Sequence, residues 1–235
     1  MNNKNFEVRK TVLIGILSVF YLNVCISQDI NQAEEIKLIP FQQGNKWGLK
    51  NAEGKEIVPA KYARILDFRE GAAAVNIGGK MKTEKVANTP FTYEKFEGGK
   101  WGFINSSGEE ILPCKYEDAK NFSEGLAAVK IKNSYGFIDK TGSVVIQCIY
   151  GDATKFSEGL AAVAENKIST MVKTTGTLKT TIKDRKWGYI DKKGKLVIPF
   201  EYLVANDFEQ GKAKVSTIDS DPEKYFINKE GKKTE

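Results

Sequence analysis

Short apolar-rich runs separated by polar turns recur along the chain, and no stretch of about ten residues after residue 27 carries the spacing of an amphipathic helix. Lys100 to Lys132 shows the pattern most fully. WGFIN is rich in aromatic and β-branched residues, and a polar stretch after it closes on Gly108. Such a glycine suits the fourth position of a type I turn or a bulged hairpin. EEILP reads as a returning strand, and Pro113 fits its end because proline donates nothing to a ladder. A polar connector with Tyr116 and Phe122 embedded leads to Gly125, which opens a third strand, LAAVK. The pattern predicts a three-stranded antiparallel meander.

Most of the chain repeats this unit. Full copies begin at about 46, 100, 134 and 186. Counted from the aromatic second position, glycine falls seven residues on (Gly54, Gly108, Gly142, Gly194) and tyrosine fifteen on (Tyr62, Tyr116, Tyr150, Tyr202). Phenylalanine falls at twenty-one (Phe68, Phe122, Phe156, Phe208), and a second glycine at twenty-four (Gly71, Gly125, Gly159, Gly211). The unit itself has no insertions, so the connectors carry all the length variation. A fixed register with elastic joins is the mark of a repeat array, in which each unit buries its apolar face on its neighbours. Residues 28–45 and 225–235 match only parts of a unit and serve as atypical ends. The expected fold is an all-β array of tandem meanders, open and solenoid-like, with a closed propeller-like ring as the alternative.

Trp47, Trp101, Tyr135 and Trp187 read as the large core residue of each meander, with Gly48, Gly102, Gly136 and Gly188 admitting a neighbouring backbone. A sugar-stacking ladder is the other reading of the same row. The tyrosine and phenylalanine positions are expected to cover the seams between units. This series of WG, G, IP, Y, F and GLAAV resembles the WG-repeat (KWG-repeat) family of bacterial proteins over roughly 46–215, with Tyr135–Gly136 a conservative departure. The resemblance implies a β-rich, repeat-built and often exported protein, and carries no catalytic residues or cofactor with it.

Residues 1–27 change the composition argument. Lys4, Arg9 and Lys10 precede an apolar run from Thr11 to Ile26, the pattern of a secretory signal peptide cut between Ser27 and Gln28. The run is short for a spanning helix, which needs about twenty residues. A retained anchor or lipidation at Cys25 is the alternative. The chain is +6 overall, and removing a leader of three basic residues and one acidic leaves about +4 on residues 28–235. That balance is only mildly basic and gives no nucleic-acid signature.

The connectors separate two copies from the rest. Between the third strand and the next WG strand the chain inserts residues 76–100 and, two units later, 164–186. The second reads as two threonine-rich strands about a glycine turn, and the first as a hairpin or flap between glycine pairs. The first carries five basic and three acidic residues and the second six and two, so the positive charge is concentrated there. Insertions at one register project from one face of an array, often the binding face. Phe91, Tyr93 and Phe96 are candidate apolar contacts, and Lys173, Lys179 and Lys183 candidate charged ones, for a protein or an anionic component of the cell envelope. A solvated lysine surface that keeps the hairpins from pairing with other strands is the plainer explanation of the charge.

The chain contains no histidine, which excludes Ser-His-Asp, Cys-His and the common zinc arrangements. It has no phosphate-cradling glycine loop, and no cofactor is implied. Cys114 and Cys148 share one repeat position and read as buried thiols before they read as a disulfide. Glu70, Glu124 and Glu158 leave paired-carboxylate hydrolysis formally open, but their periodic recurrence points to a turn role. The sequence therefore predicts a non-catalytic binding or scaffold protein, with glycan recognition along the aromatic row and glutamate-based hydrolysis as alternatives.

Overall fold

The structure, a computed structural model, describes residues 38–86, 90–166, 169–175, 178–217 and 224–234. The leader 1–27, Cys25 and the Ser27–Gln28 bond lie outside the described residues. Among those described there is no helix. Strands β1 (Ile39–Gln43), β2 (Lys46–Lys50) and β3 (Glu56–Tyr62) form the first sheet. The second sheet contains β4 (Arg64–Ile65), β5 (Ala72–Ile77), β8 (Lys100–Asn105) and β9 (Glu110–Tyr116), with β6 (Lys80–Lys85) and β7 (Thr92–Glu97) forming a separate hairpin. The third contains β10 (Asp118–Ala119), β11 (Ala127–Ile131), β12 (Ser134–Ile138) and β13 (Val144–Tyr150). In the fourth are β14 (Asp152–Ala153), β15 (Leu160–Ala164), β18 (Trp187–Asp191) and β19 (Leu196–Ala205), and β16 (Ser169–Thr175) with β17 (Leu178–Asp184) makes a second separate hairpin. Strands β20 (Ala213–Thr217), β21 (Tyr225–Ile227) and β22 (Lys233–Thr234) continue from the far end of β19.

All pairings are antiparallel, and no strand of the first sheet pairs with the last among the described residues. The array is open. Its sheets are offset from the sequence repeat. The third strand of one copy pairs with the WG strand of the next, as β5 does with β8 through Val75 opposite Gly102. In the first three copies the IP strand turns a corner after its tyrosine and enters the following sheet as a two-residue strand, so each contributes to two sheets, which ties neighbours together through the backbone as well as the core. In the fourth, β19 runs through Tyr202 unbroken and pairs with both β18 and β20 in one sheet.

The GLAAV strand shows why the sheets stack. Its side chains alternate between opposite faces, and both faces are buried. Ala73 and Val75 enter the core between the first and second sheets, while Ala72 and Ala74 enter the next core with Trp101, Phe103, Tyr116 and Phe122. The same division recurs at Ala127 and Val129 against Leu126 and Ala128. Alanine at these central positions lets two sheets approach across one layer of aromatic side chains. Phe103 lies 4.8 Å from Phe122 by ring centroids, and Phe137 4.8 Å from Phe156.

The glycine of each WG pair is demanded by the neighbouring strand. Opposite it the IP strand bulges, with Phe137 paired to Ile146 but Tyr135 to Tyr150. The bulged backbone folds over the glycine, so that a Cβ on Gly102 would stand 2.6 Å from the Leu112 oxygen and one on Gly136 2.5 Å from the Ile146 oxygen. In β3, β9 and β13, the edge strands of their sheets, the bulges also turn the strand away from pairing with another chain.

Carboxylates stitch successive copies. The glutamates before the second glycine sit at positive φ: Glu70 (51°), Glu124 (54°) and Glu158 (53°). Each carboxylate accepts a hydrogen bond from the glycine N–H of the next copy: Gly125 to Glu70 at 3.0 Å, Gly159 to Glu124 at 3.1 Å and Gly211 to Glu158 at 3.0 Å. A lysine two copies on completes each junction, as Lys192 to Glu124 at 3.0 Å and Lys229 to Glu158 at 3.1 Å. Ser123 and Ser157 add a second stitch, donating to the carbonyls of Phe156 and Phe208 at 2.6 and 2.7 Å.

Candidate interaction surface

The residues given candidate binding roles lie on the two hairpins that stand outside the stacked sheets. The first flap prolongs the β5–β8 hairpin. Ile77 still pairs with Lys100, and β6 and β7 pair from Lys80 opposite Glu97 onward. Between these pairs lie Gly78, Gly79, Gly98 and Gly99, three of them at positive φ (85°, 76° and 71° for Gly78, Gly98 and Gly99). The strands pass so closely here that a Cβ on Gly99 would stand 2.3 Å from the Gly79 nitrogen. Asn76, fully buried, spans the joint. Its amide donates to the Gly98 carbonyl at 3.2 Å, and its carbonyl accepts from the Gly79 N–H at 2.9 Å. A buried amide with both ends engaged sets the direction in which the flap leaves the array.

The named aromatics of this flap have different surroundings. Phe91 is 70% exposed and Tyr93 47%, and Met81, opposite Phe96 and on the other face from Tyr93 by register, is 54% exposed. The Tyr93 hydroxyl donates to Glu84 at 2.6 Å, and Lys82 pairs with Glu97 at 3.1 Å. Phe96 is half-buried at the root. Its ring meets Trp101 edge-on at 5.9 Å, and the Arg64 guanidinium lies 5.3 Å from its centroid. Phe96 therefore anchors the flap, while Phe91 and Tyr93 face solvent.

The second flap pairs from Ser169 opposite Asp184 to Thr175 opposite Leu178. By the two-residue period of the strands, Lys179 and Lys183 fall on one face of this hairpin. Lys173, opposite Thr180, falls on the other. At its root the Glu165 N–H donates to the Lys186 carbonyl at 2.9 Å, and Arg185 donates to the Gly151 carbonyl at 2.9 Å. A Cβ on Gly151 would stand 2.8 Å from the Arg185 Nε, so this glycine makes room for the arginine.

Between the flaps, the third sheet closes the same connection with a two-residue turn. Lys132 and Asn133 both adopt positive φ (49° and 64°), the geometry of a tight hairpin. The Asn133 N–H donates to Glu117 at 3.0 Å.

The aromatic row offers little to a sugar. Trp101 and Tyr135 are 6% and 8% exposed, and Trp47 and Trp187 are half-buried. The Lys120 and Lys130 ammonium groups approach the Tyr135 ring at 5.9 and 5.6 Å, and its hydroxyl donates to Asp118. Burial pushes the Tyr135 hydroxyl well above the ordinary range, reinforced by the Asp118 carboxylate. The repeat glutamates are occupied by the seams. Partial burial alone would raise the Glu124 carboxyl, but the bonds from Lys192 and Gly159 outweigh it and hold the group below its ordinary range. Lys229 does the same for Glu158, against a smaller burial effect and with help from Gly211. Cys114 and Cys148 are separate half-buried thiols, each raised by burial. Among the described residues no three Cys, Asp, Glu or His side chains gather as a metal site. Among the described residues no helix is long and apolar enough to cross a membrane.

Sequence reasoning passed over Asn76 and Arg185, because each acts through a backbone brought near only by the fold. It also passed over Lys140 and Lys192, legible as lysines five residues after the aromatic position, and Lys229 at the same register of the last, partial copy, where Lys224 stands at the aromatic position.

The sequence model of the WG containing repeat matches residues 47–80, 101–134, 135–167 and 187–217, more than half of the chain. The chain belongs to the WG-repeat family. The matched segments end at the flap roots, so most of both flaps lies outside the repeat that defines the family. A search of curated proteins found no match to the chain.

Proposed function

We propose that this WG-repeat protein is an exported, non-catalytic binding or scaffold module that meets its partner through the two flaps. The observation that carries the proposal is positional. Two hairpins leave the array at one register and carry a net charge of +6, against about −2 on the rest of residues 28–235. The repeat face has its carboxylates and aromatics engaged in holding the array together, and the flaps present Phe91 and Tyr93 to solvent. The partner is a protein or an anionic component of the envelope, and the charge on the flaps supports electrostatic capture. Export rests on the leader 1–27 with its cut between Ser27 and Gln28; anchoring at Cys25 would keep the same surface at the membrane.

The test is a pull-down from an envelope fraction with the intact protein and with a variant whose flaps are replaced by the Lys-Asn turn of the third sheet. Capture by the intact protein alone supports the flaps. Equal capture by both moves recognition to the repeat faces.

A further inference from the structure

Along the first flap the side chains of one face are sorted by their distance from the array. Lys82 stands opposite Lys95 and Glu84 opposite Tyr93, and beyond them the Val86 N–H donates to the Phe91 carbonyl at 2.9 Å. These pairs alternate along the hairpin and so share a face. Contacts between side chains agree: the Lys82 ammonium lies 4.0 Å from Glu84, and Glu84 accepts from the Tyr93 hydroxyl. Phe96 is on the other face, against Trp101, so this one is turned away from that core residue. Its outermost side chains are apolar, Phe91 at 70% and Val86 at 42% exposure. Tyr93 follows, and Lys82 with Lys95 comes next, both exposed and about 14 Å from the Phe91 level at about 3.4 Å per residue.

We propose that the first flap docks on an anionic lipid bilayer, with Phe91 and Val86 entering the boundary of headgroups and acyl chains and Lys82 and Lys95 meeting the lipid phosphates. The proposal rests on the flap reading above and names its partner. The order of the groups selects the occupant. An interfacial element buries its apolar side chains about 5–10 Å deep and keeps its cations at the headgroups. Tyrosine is favoured at the level between, where its ring is buried and its hydroxyl wet. Phe91, Tyr93 and Lys95 follow that order on one strand at intervals of two residues. A bilayer imposes this sequence of layers along one axis, and the surface of a protein partner does not.

Charge supports the same occupant. Like charges directly opposite one another weaken a strand pair, and an anionic surface relieves the Lys82–Lys95 repulsion. The acidic groups on this face are Glu84 and Glu97, which lie 4.0 and 3.1 Å from the Lys82 ammonium; Glu94 is on the other face, with Lys85. Residues 76–100 keep five basic against three acidic groups. Two apolar side chains and so small an excess give weak, reversible docking, of the order of a single acyl chain or below.

The reporter is Phe91→Trp in the full chain, with vesicles of equimolar phosphatidylcholine and phosphatidylglycerol. Its emission is read as the difference from the wild type, which removes the native tryptophans. A blue shift and quenching by lipid brominated on its acyl chains are expected, with a smaller shift on phosphatidylcholine alone. The reporter sits on the flap, so attachment of the vesicles through residues 1–27 alone leaves it unshifted. Lys95→Gln in the same background, at an exposed position, is expected to raise the lipid concentration at half-shift by up to about fivefold. An unshifted, unquenched reporter overturns the proposal, and so does an unchanged lipid dependence in Lys95→Gln. A reporter that shifts on soluble poly-L-glutamate and not on vesicles replaces the bilayer with an acidic polypeptide and leaves the flap reading standing. Equal capture in the envelope pull-down with and without the flaps fails the flap reading itself.

Discussion

Two glycine roles in this chain can be told apart by substitution. Gly136 has negative φ and no space, whereas Gly125 has open space and a φ of 86°. Gly136→Ala drives a methyl group into the Ile146–Cys148 backbone and is expected to cost about 1–3 kcal/mol through overpacking. Gly125→Ala is penalised only by its own backbone, by about 1 kcal/mol. Thermal unfolding of the two variants should therefore rank Gly136→Ala as the more damaging, and the reverse order would remove the bulge as the reason for the WG glycine. Asn76 adds a third case. Asn76→Ala leaves the Gly98 carbonyl and Gly79 N–H without their partners, at about 1–3 kcal/mol, and accelerated amide exchange should appear at the first flap root.

At the scale of the element, the seams have a pH dependence that follows from their bonds. Glu124 and Glu158 are held below the ordinary glutamate range in the folded state. A depressed folded pKa contributes stability above the unfolded value, about 4.3, and loses it as pH falls through the folded value. The melting temperature of the wild type should fall below about pH 4.3, and that of Glu124→Gln/Glu158→Gln, lower at neutral pH, should fall less, the two curves converging in acid. Parallel curves would mean that the carboxylates add nothing beyond a neutral acceptor. The flaps are elements of another kind, tied to the array at their roots. Trimming the first to a Lys-Asn turn removes the Phe96–Trp101 contact and trimming the second removes the Arg185–Gly151 hydrogen bond, and each is expected to lower the melting temperature.

For the whole molecule the question is what ends the array. In internal copies the side chains facing the next sheet are Ala72 and Ala74, Leu126 and Ala128, or Leu160 and Ala162; in the last copy they are Lys212 and Lys214. Two exposed ammonium groups there oppose the stacking of another sheet. The double substitution Lys212→Leu/Lys214→Ala restores the internal pattern and is expected to produce concentration-dependent association in sedimentation velocity; a persistent monomer would assign termination to other residues. The strands, the register, the turns and the two insertions were legible in the sequence, because local periodicity and turn chemistry act over a few residues; that Lys212 and Lys214 face the next layer emerged only with the stacking direction. The sequence also distinguished the flaps as the charged additions. Tertiary structure alone decided which strands share a sheet, since a corner after Tyr62, Tyr116 and Tyr150 divides the first three copies between two layers, whereas β19 runs on through Tyr202. It alone placed Glu124 on the Gly159 N–H, laid Arg185 over Gly151 and seated Phe96 against Trp101, because these contacts join residues whose nearness is created by stacking.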